Sequence, residues 1–314
     1  MKRDILSIHF AAFLFGMTGI LGTLIDANSD VITFGRALFA VLVLTPVLAL
    51  AQQGSNHKKN RTSPKRANHS TANHPTKQHP THEQTHQQAH TRLPLRYLVS
   101  GVLLAVHWVT FFVSVKTAGV AIATLGFSSF AAFITLIEWL IDRRGISRSD
   151  WVRTIAVTVG LALITPTLAL ADQATYGFVM GLLSGLSFAA MAVFNSRLLA
   201  GINPIRVARN QNLVVALVMA ALAVPYLTTL TWESWLWLAV LGVFCTGLSH
   251  SLFVSSLKRL RVNIAGLVIA LEPVYAIVAA WLLFAEVPAL RTIVGGIIIV
   301  GAIVGVNYAK DKTN

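Results

Sequence analysis

"HWVTFFVSVKTAGVAIATL" occupies residues 107–125, and "SHSLFVSSLKRLRVNIAGL" occupies residues 249–267, 142 positions further on. Laid one over the other, they share Phe111/Phe253, Ser114/Ser256, Lys116/Lys258, Val120/Val262, Ile122/Ile264, Ala123/Ala265 and Leu125/Leu267. Seven identities in nineteen positions indicate that one structural unit occurs twice in the chain. What kind of unit it is follows from the surrounding composition.

The chain is 55% hydrophobic, 12% charged, and has a mean hydropathy of +0.66. Soluble domains carry about 25% charged residues. The apolar residues arrive in blocks of about 17–25, enough to cross a hydrocarbon core roughly 30 Å thick as helix. This predicts an all-α polytopic membrane protein, with helices at about 5–25, 31–51, 95–115, 119–141, 151–170, 175–199, 208–228, 234–256, 263–284 and 290–308. The start, Met1-Lys2-Arg3-Asp4 before an apolar run, reads as a retained first helix, because no small-x-small cleavage site follows it.

The formal charge of +13 does not mark a nucleic-acid binder, since the basic residues sit in short loops between apolar blocks. With ten spans and the N-terminus inside, 22 of the 25 Lys and Arg fall on the cytoplasmic side, and only Lys116 and Arg291 fall outside. Such segregation predicts an inner-membrane protein with both termini cytoplasmic. The third span then runs outward and the eighth inward, so the repeated unit is inverted in the membrane. Two inverted five-helix repeats exchange inward and outward access by swapping conformations, which is a transporter device.

Pro46 and Pro225, in the second and seventh spans, need an offset of 179 instead of 142. The first half is therefore longer by 179 − 142 = 37 residues, close to the length of the histidine-rich stretch around Asn68–Arg92. The predicted organisation is a first repeat over 1–51 and 95–170, a disordered cytoplasmic insertion over 52–94, and a second repeat over 175–308. The insertion is rich in Gln, Asn, Thr and Pro, a composition that buries no core. His82-x₃-His86-x₃-His90 within it would line one helix face and would lend weak, incidental metal affinity.

"VNIAGLVIALEPVYAIVAAWLLFAEVPALRTIVGGIIIVGAIV" (262–304), with Glu272-Pro273 and with Glu286 ahead of a Gly-rich last helix, resembles the ten-helix EamA branch of the drug/metabolite transporter superfamily. "HWVTFF" (107–112) followed by "SSFAAFITLIEWL" (128–140) is similar to a subgroup of it, and Arg36 matches an arginine often found in its second helix. The resemblance covers the chain except 52–94. It departs at "DRRGIS" (142–147), where the first half lacks the usual Gly-Glu. What it implies is export of small metabolites, often amino acids, with the substrate left open by the fold.

Polar groups inside a membrane are costly, at roughly 2.5–3.5 kcal/mol for a mid-span charge on insertion scales. The candidate substrate-binding residues are His107, Trp108, Glu138, Asn195, His250, Glu272 and Tyr275. Ser128, Ala131, Thr135 and Glu138 share one helical face by spacing. Phe15, Trp108, Phe111 and Trp281 are the expected walls. Glu138 and Glu272, one per half and the only acids within the spans, are the candidates for handling a proton or a substrate amine. Each also has a structural reading: Glu138 as a partner of Arg36 or His107, Glu272 as a local feature of a proline-interrupted helix. Arg36 reads as a side chain snorkelling to the outer interface.

No phosphate loop and no HExxH is present, and the one cysteine, Cys245, forms neither an intrachain disulfide nor a cysteine cluster. The expected protein is no enzyme and carries no cofactor and no bound metal. Its expected partners are a small-molecule substrate, with protons as the candidate coupling ion, and the bilayer, and it assembles as a monomer or homodimer. Divalent-metal transport through the histidine-rich loop is the rival reading, although no predicted helix pairs His with Asp or Glu at i, i+4. A non-transporting membrane scaffold is the third.

Overall fold

A computed structural model describes residues 2–62, 82–143, 147–164, 172–199, 201–284, 287 and 289–311. Among these residues there is no strand, and ten helical segments cross the molecule. They are α1 (Lys2–Leu24), α2 (Ser29–Thr62), α3 (82–118), α4 (120–142), α5 (Arg148–Ile164), α6 (172–199), α7 (204–229), α8 (232–256), α9 (262–284) and α10 (Leu290–Asp311). Eight of these, all but α5 and α10, contain stretches long and apolar enough to span a membrane. At 1.5 Å per residue, the 17-residue α5 is about 25 Å long, just short of a full crossing.

The helix ends follow local chemistry. Asn203 caps α7, its side chain accepting from the amides of Ile205 and Arg206, and Pro204 occupies the first helical turn, where a missing N–H costs nothing. Thr231 caps α8 through the Ser234 amide. Gly119 adopts φ 83°, a left-handed conformation open to glycine, and this single residue separates α3 from α4. Of the segment expected to be a disordered insertion, 52–62 and 82–94 continue α2 and α3 as helix, while 63–81, with His74 and His79, lie outside the described residues. Glu286 lies outside them too.

The two halves correspond closely at the fourth and ninth helices. α4 covers 120–142 and α9 covers 262–284, the same bounds displaced by 142. Both are broken at the same place. α4 turns at Ser129 and resumes at Phe130; α9 ends its first piece at Ile269, turns at Ala270–Leu271 and resumes at Glu272. In α9 the cause is visible: Pro273 lacks the N–H that would bond back to Ile269.

Packing repeats the correspondence. α6 lies against α3 and α4 as α1 lies against α8 and α9, α7 crosses α3 as α2 crosses α8, and α2 pairs with α7 and α5 with α10. Small residues set the closest approaches, as expected where lipid tails remove the hydrophobic drive between helices. A methyl built on Gly126 of α4 would lie 2.8 Å from the Gly181 Cα of α6. One on Gly242 of α8 would lie 2.8 Å from the Arg36 carbonyl oxygen, and one on Gly101 of α3 would lie 3.1 Å from that of Gln211. Arg36 and Gln211 thus stand at corresponding crossings in the two halves.

Candidate substrate-binding cavity

At the level of the two helix breaks, a cavity opens between the halves. Phe15, Thr18, Arg36, Leu104, His107, Trp108, Phe111, Phe127, Phe188, His250 and Glu272 line it. Its volume of about 20 Å³ accommodates roughly one water molecule, so in this conformation the site is narrow. Arg36, which the sequence placed at an interface, is instead 1% exposed. Its Nε donates to Thr246 Oγ1 at 2.8 Å and its Nη2 to the Cys245 carbonyl at 3.2 Å. Its guanidinium carbon lies 4.1 Å from the Trp108 ring centroid. The acceptors come from a π-helical turn, Val243–Leu248, in which Thr246 Oγ1 also donates to the Leu241 carbonyl. Such turns inside α-helices recur at functional sites because they re-aim side chains and free carbonyls.

Glu272 faces the same cavity and is 5% exposed. No hydrogen bond to its carboxylate and no direct ion pair with Arg36 is made among the described residues. Proline and break together put this acid at the start of the second piece of α9, where the chain leaves regular helix. Discontinuous helices are the common means of building a mid-membrane site, since irregular backbone is tolerated only where it lines a cavity or is buried in protein.

The two histidines are held differently. His107 Nδ1 bonds Ser184 Oγ at 2.7 Å, with its ring packed against Phe127 and Phe188. His250 Nε2 meets Gln211 Oε1 at 2.8 Å, and Gln211 Nε2 donates to Asn195 Oδ1 at 2.8 Å. Because Gln211 Oε1 can only accept, Nε2 of His250 carries the hydrogen. Asn195 therefore supports the cavity at two removes, from a π turn that ends α6, and its Nδ2 has no partner among the described residues.

The structure thus brings His107, Trp108, His250 and Glu272 together and connects Asn195 to them. It places two other candidates elsewhere. Tyr275 faces α1, where its hydroxyl meets His9 Nδ1 at 3.0 Å and Phe13 packs on its ring edge. Glu138 is half-buried near the end of α4, with Arg261, Arg197 and Asn263 in its electrostatic surroundings. Trp281 is half exposed and is not among the walls. Several hydroxyls inside the apolar spans bond helix backbone: Ser100, Thr110 and Ser128 to their own helix, and Ser114 to the Gly177 carbonyl of α6. Sequence reasoning missed Gln211. Its signal was an amide inside an apolar span, the criterion that had selected the histidines.

The two halves meet in this region with unlike side chains at corresponding positions. Thr246, His250 and Glu272 each lie 142 residues after Leu104, Trp108 and Phe130. At three corresponding places, then, α8 and α9 carry a polar group where α3 and α4 carry an apolar one. Phe130 stands behind the wall, stacked on Phe127 at 4.8 Å.

One end of the bundle is tied across the halves. Asp142 of α4 accepts two parallel bonds from Arg197 of α6, at 2.9 and 2.8 Å. Asp4 of α1 pairs with Arg259, just past α8, at 3.4 Å, and Arg96 of α3 donates to the Leu198 carbonyl of α6 at 3.2 Å. Counting crossings, these ties share the side of the N-terminus. Among the described residues no three His, Cys, Asp or Glu side chains are grouped as a metal site.

Ten inversely repeated helices around a narrow central cavity with buried charges are the build of a membrane transporter. The chain belongs to the EamA-like transporter family, whose model matches residues 3–165 and again 175–308; the family is part of the drug/metabolite transporter superfamily. An uncharacterized transporter of Archaeoglobus fulgidus is 28% identical over 149 residues, which is 48% of this chain and 54% of that protein. The chain thus matches about half the length of this relative. A crystal structure of a protein at 15% identity is similar over 100% of both chains, with a TM-score of 0.72, and shares the fold.

Proposed function

We propose that this transporter exports small organic metabolites, amino acids or related compounds, across the inner membrane by alternating access. Both termini lie in the cytoplasm in this reading, and residues 1–51 with 95–170 and residues 175–308 are the two working units. The observation that carries it is the cavity between the halves, where Arg36, His250 and Glu272 are buried together. Burying a cation and an acid at mid-membrane is expensive, and a bundle held by packing alone needs neither. The Asp142–Arg197 pair and its neighbours are the closed gate on the cytoplasmic side, and they part when the cavity opens inward. Glu138, beside that gate, is the acid positioned to sense its opening, and Glu272 is the acid positioned to exchange a proton or an amine. His107, Trp108 and Tyr275 shape the wall and the α1 contact, and Asn195 braces His250. Overexpression is the test: it should raise resistance to some toxic amino-acid analogues and lower their accumulation in cells. If no analogue in a broad panel changes growth or accumulation, the export reading is wrong.

A further inference from the structure

We propose that Arg36 and Glu272 form a two-point clamp for a zwitterion, so that the substrate is an amino acid whose side chain is apolar. This rests on the reading that the central cavity carries substrate. It adds which charges the substrate bears and how it lies.

The argument starts from unused hydrogen-bonding capacity. A guanidinium has five N–H donors. Arg36 spends Nε on Thr246 and one Nη2 hydrogen on Cys245, and its Nη1 has no partner among the described residues. The Glu272 carboxylate accepts from none of them. Two oppositely charged groups, both nine-tenths or more buried, therefore face one cavity with their charge-assisted bonds unmade. Unmade bonds of this kind cost more than neutral ones, so both groups have a strong call on a ligand.

Charge balance then selects the ligand. The pair sums to zero, so a ligand with one cation and one anion leaves each wall charge compensated. A simple amine would neutralise Glu272 and leave Arg36 buried without a counter-charge; a simple carboxylate would do the reverse. Stranding one member of a buried pair is strongly unfavourable. The guanidinium is also the better carboxylate receptor, because its planar fork matches two oxygens.

The lining fixes the rest of the molecule. The Arg36 head is stacked on Trp108, and Thr18, His107, His250 and Glu272 are the other polar residues of the wall. Phe15, Leu104, Phe111, Phe127 and Phe188 form its apolar remainder. A ligand with its ammonium on Glu272 and its carboxylate on Arg36 projects its side chain onto these rings. Among the described residues no charged group other than Arg36 and Glu272 lines the cavity, so a charged side chain meets no counter-charge there. At about 20 Å³ the cavity must widen to admit such a ligand, and separation of the halves supplies the room.

The test uses the purified, full-length protein in detergent and in liposomes. Leucine and phenylalanine are compared with their decarboxylated analogues, isoamylamine and phenethylamine, and their deaminated analogues, 4-methylpentanoate and 3-phenylpropanoate. Binding is read by thermal stabilisation and by intrinsic tryptophan fluorescence, and transport by competition against a labelled amino acid. Either amino acid should bind at least about 100-fold more tightly than both its analogues, the discrimination expected of a site built around a polar group the analogue lacks. Arg36→Gln should shift preference toward the amine, and Glu272→Gln toward the carboxylate. The wild-type comparison stands even where a variant fails to fold. Analogues that bind as well as the parent amino acids, or a transported solute bearing one charge only, would overturn the clamp while leaving the transport reading intact. Failure of every solute to bind or move would overturn that reading, and the clamp with it.

Discussion

The guanidinium carbon of Arg36 stands 4.1 Å from the ring centroid of Trp108, with Phe112 on a second side at 5.5 Å. An always-charged side chain is thereby held at mid-bundle by an aromatic face and by two acceptors from a π turn. Trp108→Leu should weaken substrate binding and protein stability together, by about 1–2 kcal/mol for a desolvated cation–π contact. Trp108→Phe should lose less. Half-saturation constants and unfolding temperatures in detergent measure both. Equal behaviour of Trp108→Leu and wild type would mean that the ring is only filler.

Asp142→Asn combined with Asp4→Asn should favour the conformation open at the N-terminal face. The first pair is bidentate but partly exposed, and in the second Arg259 is largely exposed while Asp4 is not. Surface pairs contribute about 0.2–1 kcal/mol each, so together they should shift the population by about two- to thirtyfold. A cysteine at cavity position 104, introduced with Cys245→Ser, reports this as a rise in alkylation rate. An unchanged rate would remove these pairs from the gate.

Glycine substitutions should separate contact glycines from free ones. Gly126→Ala drives a methyl into the backbone of α6, which cannot step aside, and should cost about 1–3 kcal/mol. Gly301→Ala meets open space in α10 and should be neutral or stabilising by about 0.5–1 kcal/mol. Thermal unfolding of the two variants should differ by several degrees in that direction, and identical midpoints would contradict the packing described for α4 and α6.

Deleting 55–92 should leave transport within about twofold of wild type, because a stretch so rich in Gln, Asn, Thr and Pro supplies no core to the repeat units. In a Cys245-free protein, an impermeant thiol reagent applied to intact cells should reach a cysteine at 172 and spare one at 65. The opposite pattern would invert the topology.

Much of the fold could be read from the sequence, because apolar block length and the 142-residue register are one-dimensional signals. The break in α9 was visible in Glu272-Pro273, but its partner at Ser129 was not, because nothing in "FSSF" (127–130) forbids helix. That break also undid one site expectation. Spacing rules assume a straight helix, and they put Ser128 and Glu138 on one face across a turn that reorients the chain. Arg36 was misread for a different reason. Snorkelling is the default for an arginine near a helix end, and it was overridden by partners 209 and 210 residues away, Cys245 and Thr246, which no local pattern announces. His107, Trp108, His250 and Glu272 were legible because polar and aromatic groups in an apolar span are few, and each costs something to keep there.

The most direct test of the central claim is exchange of a labelled apolar amino acid by purified protein in liposomes preloaded with the same unlabelled compound. A carrier working through the Arg36–Glu272 cavity predicts exchange well above protein-free liposomes, abolished or strongly reduced in Glu272→Gln and Arg36→Gln proteins that insert and unfold like wild type. Exchange by both variants at the wild-type rate, or none by wild type for any amino acid, would contradict the account.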